Sequence, residues 1–155
     1  VGLLVQDAAF MVMVPYFCPD VPSMKKNPAF FFFPDGFTKP YPFTPTLAVS
    51  IDDVLEEKVQ ALDALESQVY EGGALGDATT RGKRFGDDPV RRLKFLNSSW
   101  SNRHANIADK HRESLLEWYG PEAGAAVKHA EAFELCEYGS KPSKDQLRIL
   151  FPFFK

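Results

Sequence analysis

The side chains with the chemistry to hold a metal or move a proton are three histidines (His104, His111, His129), two cysteines (Cys18, Cys136) and the acidic pair Glu131 and Glu134. Ligands to a single zinc ion must each approach within about 2 Å. His104 and His111 share a predicted helix face, but at 1.5 Å per residue they stand about 10 Å apart along its axis. Neither an H-E-x-x-H nor a C-x-x-C pattern occurs, so the spacing argues against a complete zinc site in these residues. Glu131 and Glu134 are three apart in a strand-like segment, which points them to opposite faces and away from joint acid–base work.

Other reactive arrangements are equally unsupported. There is no G-x-S-x-G elbow to present a nucleophilic serine. Cys18 lies in a Pro-rich stretch with no base beside it in sequence. "GDATTRGK" at 76–83 resembles a phosphate-binding loop only superficially. Five residues separate Gly76 from Gly82 where four are required, and Arg84 replaces the hydroxyl residue that would hold magnesium. The basic cluster Arg81, Lys83, Arg84, Arg91, Arg92 and Lys94 reads as a solvated face or as a meeting place for an anionic ligand. Ser67 and Gln68 end a predicted helix, where short polar groups are easily placed in a pocket.

The composition bounds the class. With 155 residues, 45% hydrophobic and 25% charged, the chain is the size of one domain and can bury a real core. A net charge of −3 gives no electrostatic reason to expect nucleic acid. Apolar runs fall short of the roughly 20 residues that span a bilayer. The opening residues lack the basic flank and cleavage site of a signal peptide. Two cysteines so far apart read as buried reduced thiols, which leans toward a reducing, cytoplasmic compartment.

These groups must be positioned by an alternation of helices and strands. Residues 2–14 are apolar nearly all round and read as a buried helix ended by Pro15. "AFFFF" at 29–33, bounded by turn residues, reads as a strand covered on both faces, the kind found in parallel sheets. The loop 34–45, "PDGFTKPYPFTP", is stiffened by proline and carries three aromatic rings. It reads either as a pocket wall beyond a strand or as a loop packing its own rings. "TLAVSI" at 46–51 is a second strand. A helix capped by Asp52 or Asp53 follows, with Leu55, Val59, Leu62, Leu65 and Val69 on one face, and stops at Gly72 and Gly73. Residues 71–86 form a Gly-rich loop. Pro89 opens a helix through "VRRLKFLN", another runs from about Asn102 to Tyr119, and a short one covers 121–127. "HAEAFELCEY" is a late strand, and Ser143 caps a last helix.

Taken in order, "LLVQDAAF", "NPAFFFFPDGF", "FTPTLAVSIDDVLEEKVQALDALESQ" and "HAEAFELCEYG…LFPF" resemble the carboxyl-terminal half of the PIG-L/LmbE-like family. These are zinc-dependent de-N-acetylases of N-acetylglucosamine-containing substrates. The resemblance covers nearly all of the chain. It implies an α/β, Rossmann-like three-layer fold, with residues 1–155 forming a single domain portion. The family's zinc ligands sit in a His-Pro-Asp-Asp motif and a His-x-Asp-His motif. Neither is present, and the second falls in the family just before a stretch like that opening this chain.

The resemblance therefore implies a fragment with no catalytic or metal residue of its own, inactive alone, whose complete protein uses zinc on an N-acetylated amino sugar. It carries substrate-pocket roles onto Ser67 and Gln68 of the helix-ending Ser-Gln, onto Glu131 of the Ala-Glu-Ala-Phe segment, and onto Asp35 and Phe37 of the proline-rich loop. Leu65 stands where relatives often have histidine, so no polar role transfers there. Homo-oligomerisation stays open. The rival expectation is a non-catalytic module that grips a carbohydrate or partner subunit through the aromatic loop 34–45.

Overall fold

The computed structural model describes residues 2–71 and 88–154. Seven helices and three strands occur among them: α1 (Gly2–Met11), β1 (Phe31–Phe32), β2 (Leu47–Ser50), α2 (Leu55–Asp63), α3 (Glu66–Val69), α4 (Pro89–Lys110), α5 (Arg112–Tyr119), α6 (Pro121–Ala126), β3 (Ala130–Leu135) and α7 (Lys144–Leu150). The protein is thus mixed helix and sheet. Most of the loop expected at 71–86, its stop signal at Gly72 and Gly73, and Arg81, Lys83 and Arg84 lie outside the described residues.

The sheet order is β1-β3-β2, and both ladders are antiparallel. This corrects the expectation that 29–33 belongs to a parallel sheet. Pro28 and Pro34 have no N–H to donate, so the ladder cannot extend through them. Only Phe31 and Phe32 pair with β3, and Phe33 is 65% exposed rather than covered. Register places Leu47 opposite Phe133 and Val49 opposite Glu131.

The two faces of β2 are buried differently. Leu47 and Val49 meet Trp118, Leu147 and Phe154, with Phe31, Phe133 and Phe151 around them. On the other face, Ala48 and Ala130 lie against Ala108, Leu115 and Val127 of the helical layer. Small alanines let α4 and α5 approach closely, and each fully buried leucine such as Leu47 or Leu115 contributes about 1.5–3 kcal/mol. A third cluster, Val59, Tyr70 and Leu96, packs the segment from α2 through α3 against α4. At the outer edge of β2, Tyr119 Oη accepts from Ser50 N at 3.0 Å and Trp118 Nε1 donates to Thr46 O at 3.3 Å.

Several helix expectations change. The helix expected from Asp52 is instead a 3₁₀ turn (Asp52–Val54), α2 and the single turn α3. Neither Asp52 nor Asp53 caps it, because the carboxylate of Asp52 is used elsewhere. The two helices expected around 90–119 join earlier and break later, at His111. Asn97 and Ser98 bond back to the carbonyls of Leu93 and Phe95 and stay helical. Asp88 caps α4 through Val90 N and Arg91 N, with Pro89 in the first turn.

The helix expected to be buried at 2–14 forms as α1, but only Ala9 is buried, and Leu3 and Phe10 are 78% and 66% exposed. Leu4, Ala8 and Met11 line an open apolar space with Phe17, Val21 and Met24 of the loop that follows. Cys136 is buried as expected, whereas Cys18 is exposed, and both are free thiols. Among the described residues no helix is long and apolar enough to cross a membrane.

Candidate functional site

The polar groups gather where β2 ends, β3 begins and α2 leaves the sheet. Asp52 is central. Its carboxylate accepts from Lys128 N at 3.0 Å, His129 N at 2.8 Å and His129 Nδ1 at 2.8 Å. Burial pushes its pKa up, but the backbone N–H groups and the His129 ring outweigh that, so the carboxyl sits below its usual range. Ser50 Oγ lies 3.4 Å from the same carboxylate.

A second group sits beside it. Lys58 of α2 donates to Glu131 Oε1 of β3 at 2.5 Å. His104 of α4 is buried, and its Nδ1 bonds the carbonyl of Ala130 at 3.1 Å while Trp100 stacks on its ring at 5.7 Å. Burial above all holds its pKa below the ordinary value, Ala130 O and Glu131 acting against and Lys58 and Arg103 with it. The ring is therefore neutral near pH 7.

The five residues expected to line a substrate pocket are spread over three places. Glu131 joins the polar group just described. Ser67 and Gln68 lie on α3 and are exposed. Asp35 and Phe37 form an exposed turn in which Phe37 N donates to Asp35 Oδ1 at 2.9 Å. As the strand period predicts, Glu134 turns away from Glu131 and accepts from Thr44 N of the aromatic loop at 2.7 Å. Part of that loop does wall a cavity: Tyr41 and Thr44 line a space of about 390 Å³ with Thr46, Glu134 and Tyr138. Its Phe43 meets His111 at 6.1 Å.

Of the three histidines, His104 bonds the Ala130 carbonyl through Nδ1, His129 Nδ1 faces Asp52, and His111 lies at the α4–α5 joint. Among the described residues no three His, Cys, Asp or Glu side chains are placed to share a metal ion. Neither Lys58 nor the Asp52–His129 pairing has a signal in the sequence, where Asp52 reads only as a helix cap. The partners lie 73 and 77 positions away, and no local spacing announces such pairs.

Comparison with protein-family models, with curated proteins and with solved structures gives no match for this chain.

Proposed function

We propose that residues 1–155 are the carboxyl-terminal portion of a PIG-L/LmbE-type de-N-acetylase, a cytoplasmic enzyme that removes acetate from an N-acetylglucosamine-containing substrate. In this reading the zinc ligands and the remaining strands of a Rossmann-like sheet belong to upstream sequence. Residues 1–155 then supply framework and substrate contacts rather than the metal.

One observation carries the reading. Two of the family-like segments, 43–68 and 129–139, are joined by the β2–β3 ladder and by the Lys58–Glu131 ion pair. Glu131, the residue with the transferred pocket role, is thereby held by the segment that ends in Ser67 and Gln68. The experiment is to read and express the whole open reading frame, then measure acetate release from N-acetylglucosaminides together with bound zinc. Metal-dependent release is expected. Absence of both upstream histidine–aspartate motifs, or a folded full-length protein without release, overturns the reading.

A second reading has its own support. The 390 Å³ cavity lined by Tyr41, Thr44 and Glu134 suits a non-catalytic carbohydrate-binding module built on the aromatic loop. Sugar binding that survives without any acetate release, and that Tyr41→Ala abolishes, selects it.

A further inference from the structure

The cavity of about 390 Å³ beside the aromatic loop is lined by rings and by two carboxylates, and no Lys, Arg or His lines it. Its floor follows from strand geometry. Cys136 N donates to Phe30 O at 2.8 Å, so the ladder between β1 and β3 runs on through Cys136. The strand period of two then puts Glu134 and Cys136 on one face. Register sets Phe32 directly opposite Glu134, with its side chain on that same face. Around this floor stand Tyr41 of the aromatic loop, and Glu137 and Tyr138, which follow β3.

The polar groups of the cavity are only partly used. Thr44 N donates to Glu134 Oε2 at 2.7 Å, while Glu134 Oε1 has no partner among the described residues. The Glu137 carboxylate has none among them either. Cys136 is a free thiol, 2% exposed, and its sulfur meets no polar partner among the described residues. Tyr41 and Tyr138 are 66% and 57% exposed, so the cavity opens to solvent past their rings.

The charge of this lining decides the ligand. A neutral ligand would cover the carboxylates and leave them without a counter-charge, which costs free energy. A cation offsets that cost, and the electron-rich faces of the three rings attract it as well. A bare metal ion does not suit the cavity, because no three His, Cys, Asp or Glu side chains among the described residues can share one. A cation clad in carbon does suit it, since the rings and the thiol offer apolar contact. The volume lies within the roughly 300–1,000 Å³ of small-molecule sites.

We propose that this cavity binds a small aliphatic ammonium ion, its charge met by Glu134 and Glu137 and its carbon shell by Phe32, Tyr41 and Tyr138. The assignment is independent of the deacetylase reading. It gives the cavity a charged ligand in place of the neutral sugar of the second reading.

The test is a titration of the nitrogen-15-labelled full polypeptide with choline, with dimethylbutanol (its neutral carbon isostere) and with N-acetylglucosamine. The Thr44 amide, which donates to Glu134, should move saturably with choline and stay still with the two neutral compounds. Glu134→Gln keeps an acceptor for Thr44 N but removes the charge, and should weaken choline binding roughly 10-fold. Glu137→Gln should weaken it too, and it disturbs no side-chain hydrogen bond among the described residues, so it serves should Glu134→Gln fail to fold. An equal response to choline and its isostere, no saturable response to choline, or full affinity in both variants overturns the assignment. A response to N-acetylglucosamine alone overturns it in favour of the carbohydrate module. None of these outcomes involves acetate release, so the deacetylase reading stands or falls separately.

Discussion

Asp52 and His129 are 77 positions apart in the chain and 2.8 Å apart in the fold. One carboxylate takes the backbone N–H of two successive residues and the ring of the second. It therefore pins the exit of β2 to the entry of β3, and it does so from the position expected to cap a helix. The helix loses a cap and the sheet gains a clasp.

Asp52→Ala should destabilise the fold by about 1–3 kcal/mol, since two backbone donors and the His129 ring lose their acceptor. The same pairing sets a sign for acid. Because the folded carboxyl sits below its usual pKa of 3.8, its contribution is complete above that value and is lost as pH falls through the lower folded one. Denaturant melts of both proteins across the acid range should converge at the lowest pH. A constant gap would show that the carboxylate is not the stabilising form.

The buried histidines act in a different window. Burial, chiefly, holds both His104 and His111 below their usual 6.5, so the unfolded chain binds protons there that the folded chain does not. Stability should fall as pH drops through 6.5 toward the folded values. Replacing both rings by phenylalanine should flatten that slope between about pH 7.5 and about pH 5.5. An unchanged slope would place the acid response in other groups.

Tyr70 offers a spectroscopic check on the packing of the 55–70 segment against α4. Burial, with help from its hydrogen bond to Asp63, pushes the phenol up to about 12. In an alkaline absorbance titration of the folded protein, Tyr70→Phe should remove the latest-ionising component. Loss of an ordinary component near 10 instead would mean that the tyrosine is not packed as described.

Gly124→Ala should be among the more damaging single-methyl changes. A Cβ there would come within 2.4 Å of the Leu115 carbonyl oxygen, and backbone cannot swing aside as a side chain can. α6 would have to move off α5, pulling on the carbonyls of Gly124 and Val127 that Arg112 holds at 2.9 and 2.7 Å. Overpacking of this kind costs about 1–3 kcal/mol. A melting temperature equal to that of the parent would show that the α5–α6 contact is looser than this.

What the sequence disclosed were features encoded locally. Ser143 caps α7, Pro89 opens α4, and the alternation in 130–135 is that of β3. Apolarity was also legible, but not what it meets. α1 is a helix of the expected composition with its side chains mostly uncovered, because a run of residues records its own character and not its neighbours. In the candidate site, Glu131, His104 and His129 were legible as residue types, but not what they meet. Lys58 comes from α2 and His104 from α4, and Asp52 reaches His129 across most of the chain, so tertiary pairing alone creates these contacts.

The aromatic tips on the outer side of β2 have a consequence for how this protein behaves in a crowd. Open strand edges invite a neighbouring molecule to zip onto them, the first step toward fibrous deposits. Beside β2 two backbone groups are already occupied, Ser50 N by Tyr119 and, just ahead of the strand, Thr46 O by Trp118. At the other end of the sheet order, β1 offers a neighbour only two residues, with proline standing close on both sides.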